Sequence, residues 1–173
     1  MKRNENLILL SRDHHFGLLC CWKIRQGIKK EVSYERIKNY INYYWEKNLH
    51  NHFKTEDDVL PELSNEGLQN QMEKEHREIS RLIGSINQSN NQQLLSDFAD
   101  ALYKHIRFEE RSVFPYLEEH LSDEQMDTIG LELSQHHHKE DDDYEDAKGG
   151  EDSSGIAFHG TRLTGSRLLG LQP

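Results

Sequence analysis

Apolar residues recur every three or four positions along most of this chain, which is the spacing of one face of an α-helix. Long stretches of this pattern cover about residues 7–27, 33–60, 68–86 and 92–113. A shorter fifth helix is predicted over about residues 122–133. Short polar joints between long amphipathic helices favour antiparallel neighbours. We therefore predict an all-α fold, an antiparallel up-down-up-down four-helix bundle.

The composition changes near residue 139. An acidic run follows, and after it comes a stretch rich in glycine and serine. Such a segment buries too little apolar surface to offset the entropy lost on ordering. We therefore predict one folded domain over residues 1–139 and a disordered acidic C-terminal tail over residues 140–173.

Charge and hydropathy narrow the classes of partner. The net charge is −10 and lysine and arginine form no clustered stripe, which argues against binding to nucleic acid or to an anionic membrane. There is no run of 18 apolar residues, and the first apolar run is too short for a signal peptide. Cys20 and Cys21 are adjacent on a predicted helix and cannot form an ordinary disulfide with each other. We expect a cytoplasmic protein.

One short phrase occurs twice in the chain. It is a histidine followed four residues later by a glutamate, with an apolar pair and a proline behind them. His52 and Glu56 form the first copy, and His105 and Glu109 form the second, which has one extra residue before its apolar pair. Residues four apart lie on one face of a helix, so each copy is a two-ligand half-site. Two half-sites therefore suggest two metal ions. Glutamates on core faces are also costly to bury unpaired, which independently favours a bound cation.

The other two long helices each contain a lone candidate histidine. His15 is followed at the +3 and +7 positions by Leu18 and Trp22, and His76 is followed by apolar residues at the same spacing. This pattern predicts that both imidazoles point into the bundle. His14 is the alternative on the first helix, and it is less favoured because a glycine follows it at +3.

Together, the two His/Glu phrases and the lone histidine before each of them resemble the hemerythrin-like (HHE cation-binding) domain family. The resemblance covers about residues 7–134. It implies a four-helix bundle around two non-haem iron ions, a di-iron centre with an oxo or hydroxo bridge. Carried over position by position, it implies four terminal imidazole ligands and two bridging carboxylates: His15, His52, His76, His105, Glu56 and Glu109.

One position departs from the oxygen-carrying hemerythrins. They place a second histidine one turn after the first on the third helix, where this chain has Ser80. The substitute ligand is left open among water, His14 and four carboxylates: Glu73, Glu75, Asp57 and Glu110. An incomplete ligand set favours reactivity over reversible oxygen carriage. The resemblance therefore implies a protein that binds or senses O2, NO or iron and supports iron homeostasis or iron-centre repair. The alternative is a di-iron enzyme that turns over peroxide, NO or O2.

Overall fold

The computed structural model describes residues 3–136 and 143–144, and it contains no strand in that part of the chain. The α-helices are α1 (Ile8–Lys29), α2 (Tyr34–Tyr44), α3 (His50–Val59), α4 (Glu66–Gln88), α5 (Gln92–Phe108), α6 (Phe114–His120) and α7 (Asp123–His136). The prediction of an all-α fold is confirmed. The predicted fifth helix is α7, which extends a few residues beyond its predicted end.

Two π-helical turns join consecutive helices into longer rods. Trp45–Leu49 joins α2 to α3, and Glu109–Val113 joins α5 to α6. We call α1 rod 1, α2 with α3 rod 2, α4 rod 3, and α5 with α6 rod 4. Rod 2 covers the predicted second helix, but the π turn interrupts its regular geometry.

The two phrase prolines have different effects. Before Pro61 the helix ends, and Leu60 is extended (φ −77°, ψ 135°), as expected for a residue that precedes proline. Pro115 instead lies in the first turn of α6, and rod 4 continues to His120. The predicted end of this helix at residue 113 is therefore wrong. Proline lacks the N–H for a bond to the preceding turn, and the adjacent π turn accommodates that missing bond.

Neighbouring rods run antiparallel. Between rods 1 and 4, Arg25 pairs with Asp100 at 2.8 Å, whereas His14, earlier in rod 1, pairs with Glu110, later in rod 4, at 2.7 Å. Contacts between rods 2 and 3 reverse in the same way. Asparagine side chains cap two of the rods, since Asn65 accepts N–H bonds at the start of α4 and an equivalent asparagine does so at the start of α5. The antiparallel prediction is confirmed.

The core consists of two apolar clusters with a polar layer between them. One cluster fills the bundle, and the other lies at the end where α7 packs against a 3-10 turn at Glu5–Leu7. Phe53 from the first cluster stacks on His76, with ring centroids 4.0 Å apart, and Phe114 from the second stacks on His14 at 5.3 Å. The buried imidazoles therefore lie where the two clusters meet. No helix in the described ranges is long and apolar enough to cross a membrane.

Most of the predicted tail lies outside the described residues, so its disorder and the domain division at residue 139 stay predictions. Tyr144 is described, and its ring packs against Tyr40 and Tyr43 with centroids 5.3 and 5.1 Å apart. Cys20 and Cys21 are both buried, and they are not joined by a disulfide, as predicted.

Candidate metal centre

Six buried side chains from the four rods form two groups of possible metal ligands. The first group is His14, His52, Glu56 and Glu109, and the second is Glu56, His76, His105 and Glu109. Within each group the donor atoms lie within 4.8 Å of one another. Glu56 and Glu109 belong to both groups, and both are fully buried at 0% exposure. The two groups are therefore joined through two shared carboxylates.

The repeated phrase accounts for two of the histidine–glutamate contacts. His52 Nε2 lies 3.2 Å from Glu56 Oε1, and His105 Nε2 lies 3.3 Å from Glu109 Oε2. His76 reaches the same layer from rod 3, with its Nε2 3.5 Å from Glu56 Oε2. The structure thus brings these five predicted residues together, as the helical spacing requires.

The sixth predicted residue is not among them. The prediction that His15 points into the bundle is wrong, because His15 is exposed and His14 is the buried imidazole, at 3% exposure. The inward face of α1 is shifted by one residue, so that Trp22 is 51% exposed. The sequence pattern disfavours His14 because Gly17 follows it three residues later. Gly17 faces rod 4, where an added Cβ would lie only 2.6 Å from Ile106 Cδ1. Glycine at this position allows the two rods to approach closely.

Several buried polar atoms in this layer support the presence of a cation. The Nε2 of His14 and both oxygens of Glu56 and of Glu109 make no hydrogen bond within the described part of the chain. Buried carboxylates in this state cost several kcal/mol unless a positive charge offsets the loss of hydration. Imidazole and carboxylate together are suitable ligands for iron and similar transition metals. The residues present therefore fit a pair of metal ions.

The electrostatics of the layer also favour positive charge. Burial raises the pKa of Glu56 and Glu109, but the surrounding imidazoles outweigh it, lowering the pKa of Glu109 to about 2 and that of Glu56 well below its ordinary value. Burial lowers the pKa of His14 and His76, but the adjacent carboxylates raise both to about 10. Imidazoles with a raised pKa would carry protons when metal is absent, and metal binding would release those protons.

None of the carboxylates considered as substitutes for the missing histidine is in either donor group of the described residues: Glu73, Glu75, Asp57 and Glu110. Ser80 is exposed, and its hydroxyl donates to the backbone carbonyl of His76 at 2.9 Å. His14 takes the position on the first helix that was predicted for His15. The two donor groups therefore contain four imidazoles. Each of the two donor groups thus contains four residues.

A small buried void lies beside the two donor groups. Its volume is about 10 Å³, close to the space needed by one water molecule. Three imidazoles and several apolar or aromatic side chains line it, and all of the lining residues are buried: Asp13, His14, Gly17, Tyr44, Leu49, His52, Phe53, Leu102, His105 and Ile106. The layer therefore has room for a very small molecule next to the candidate metal positions.

Comparison with protein families agrees with this geometry. A family model described as the hemerythrin HHE cation binding domain matches residues 18–117, more than half of the chain. The matched range contains every donor residue except His14, which lies before it. Comparisons with curated proteins and with solved structures gave no match.

Proposed function

Because the chain belongs to the hemerythrin HHE cation-binding domain family, we propose that it holds two iron ions as a non-haem di-iron centre that binds or senses O2 or NO. The observation that carries this proposal is the sharing of Glu56 and Glu109 between two donor groups. A single metal ion would not require carboxylates that belong to two donor groups, whereas such carboxylates could hold two ions close together.

The two donor groups indicate which residues would hold each ion. Two imidazoles from rods 1 and 2 would hold one ion, two imidazoles from rods 3 and 4 would hold the other, and two carboxylates are available to both: His14 and His52; His76 and His105; Glu56 and Glu109. When bound, the iron pair supplies open coordination positions and electrons for a diatomic ligand. With four donor residues for each ion, the protein alone would not complete a six-coordinate iron site, so a small ligand could bind there.

The void supports a ligand of diatomic size. Gly17 leaves the space open, and Leu102 and Ile106 form part of its apolar wall. Apolar walls exclude bulk water, while O2 and NO need no hydrogen-bonding partners to enter. These residues favour a small uncharged ligand over a large polar substrate.

Anaerobic reconstitution of the full chain with Fe²⁺ tests the proposal. Elemental analysis should give about two iron atoms per chain, and addition of NO or O2 should change the optical spectrum of the iron-loaded protein. Iron content near zero would contradict the di-iron proposal. Steady-state consumption of NO, O2 or peroxide in the presence of a reductant would favour the enzymatic alternative instead.

A further inference from the structure

An acidic residue stands directly beside a candidate metal ligand in every rod. One precedes His14, one follows Glu56, one precedes His76 and one follows Glu109. They are Asp13, Asp57, Glu75 and Glu110. Adjacent helical residues diverge by about 100°, so each of these side chains points away from the metal layer and toward a neighbouring rod.

The first two carboxylates link rods 1, 2 and 3. Asp13 of rod 1 has its Oδ2 3.3 Å from Nδ1 of His52 in rod 2. Asp57 of rod 2 has its Oδ1 3.5 Å from Nδ1 of His76 in rod 3. In both pairs the carboxylate reaches the ring nitrogen on the outer side of the imidazole, while Nε2 faces the shared glutamates.

The other two carboxylates continue the sequence and close it. Glu75 of rod 3 has its Oε2 3.1 Å from Nδ1 of His105 in rod 4. Glu110 of rod 4 has its Oε1 2.7 Å from Nδ1 of His14 in rod 1. The four contacts therefore pass once around the bundle and return to the rod in which they began.

We propose that these carboxylates form a closed ring that positions the metal-ligating imidazoles, with each rod orienting the ligand of the next. The inference rests on the proposed di-iron function. An Nδ1–H donated to a carboxylate fixes the tautomer of the histidine, leaves its Nε2 lone pair for the metal and fixes the orientation of the imidazole plane. Because each partner lies on another rod, the four ligands are oriented only when all four rods have assembled.

The four carboxylates differ in burial, so we expect their contacts with the imidazoles to differ in strength. Asp13 is 4% exposed, Glu110 24%, Glu75 25% and Asp57 60%. Glu110 is held further by Arg3, whose guanidinium lies 2.8 Å from it. Solvent weakens exposed ion pairs, so Asp13 and Glu110 should matter most and Asp57 least.

The first arm of the test measures metal affinity in the full chain. Asp13→Ala should weaken anaerobic Fe²⁺ binding about 10- to 100-fold in competition with a chelator, the usual effect of losing such a partner. Asp13→Asn keeps an acceptor oxygen and should recover part of the loss. Asp58→Ala removes an exposed carboxylate next to Asp57, which belongs to the carboxylate ring. It serves as the matched control, and no change in Fe²⁺ affinity is expected.

The second arm asks which imidazole responds. In the Zn²⁺-loaded protein, NMR of the histidine side chains should show that Asp13→Ala alters the Nδ1–H signal of His52, on the next rod, and leaves that of its chain neighbour His14. A merely structural role would lower the melting temperatures of the metal-free and metal-loaded protein equally. If Asp13→Ala does not fold, Glu75→Gln with His105 as the reporter makes the same test.

The outcomes separate the ring from the di-iron proposal. Wild-type chain that takes up no iron would overturn the proposed function and with it any role in positioning ligands. Normal uptake by the wild type with unweakened binding in Asp13→Ala would overturn the ring alone. So would a response confined to His14.

Discussion

Replacement of Glu56 by glutamine should weaken both metal positions at once. Glu56 is fully buried, and its oxygens lie 3.2 to 3.8 Å from ring nitrogens of His52, His76 and His14. Glutamine has nearly the same shape, so the packing of rod 2 is kept. It removes the anionic oxygens that belong to both donor groups, whereas loss of one histidine would affect a single group.

The expected size of the effect follows from linkage between binding and folding. Iron at 100 times its Kd stabilises the folded chain by about 2.7 kcal/mol per site, or about 5 kcal/mol for two sites. For a folded part of this size, 1 kcal/mol moves Tm by roughly 3–5 °C, so iron should raise the wild-type Tm by about 15–25 °C. If Glu56→Gln raises each Kd about 100-fold, the same iron concentration leaves about 0.4 kcal/mol per site, or roughly 3 °C in all.

The metal-free protein should respond differently. Glutamine removes a buried charge whose desolvation is costly, but it also removes a partner that helps to raise the pKa of His14 and His76 to about 10. Each imidazole can release its proton when that partner is lost, which limits the cost. We therefore expect the Tm of metal-free Glu56→Gln to lie within a few degrees of the wild type.

Anaerobic thermal melts with and without Fe²⁺ measure both effects. Glu62→Gln, the same substitution at an exposed glutamate five residues before Gly67, is the control and should show the full iron-dependent shift. A full shift in Glu56→Gln would refute the role of Glu56 as a shared ligand. A wild-type Tm that does not respond to iron would refute the linkage between metal and fold.

Three further substitutions test the site at other points. His14→Ala should lower the iron content from about two atoms to about one while His15→Ala leaves it unchanged, and equal iron contents in elemental analysis would contradict the buried ligand assignment. Gly17→Ala places a methyl group against Ile106 beside the void, so it should slow NO binding in stopped-flow experiments without loss of iron; an unchanged rate would mean that the ligand binds elsewhere. Ser80→His adds an imidazole at an exposed position and should leave the reaction of the iron-loaded protein with O2 unchanged, whereas a longer-lived oxygen-bound spectrum would show that position 80 reaches the metal.

The sequence predicted the rods well because their buried faces are dominated by large apolar side chains. In rod 2, for example, Ile37, Tyr40 and Ile41 follow helical spacing and all are buried. The same criterion failed on α1, since it gave weight to Trp22, which is exposed, and none to a glycine. Close approach of two helices selects a small residue, so an inward face can be marked by the absence of a side chain.

Helical periodicity could not predict the imidazole partners of the four carboxylates beside the ligands, for a different reason. Their partners depend on which rods are neighbours, and a helical pattern does not contain that information. A signal was nevertheless present, because an acidic residue flanks a ligand in each of four places, as at Asp13 beside His14 and Glu110 beside Glu109. Three of these residues, Asp13, Glu75 and Glu110, are buried or partly buried, and a neighbouring imidazole explains that burial better than solvent does.

The π turn in rod 2 explains how the first phrase reaches the metal layer at all. Buried positions in α2 lead to Tyr44, and a regular helix would place the next inward residues at 48 and 51. The turn Trp45–Leu49 contains one extra residue, so Asn48 and Leu49 are both buried and the inward face then continues through His52 and Glu56. One residue rotates a helix by about 100°, enough to carry a ligand from the core to the surface. The irregular turn therefore sets the register between the apolar core and the ligands, as π turns often do at functional sites.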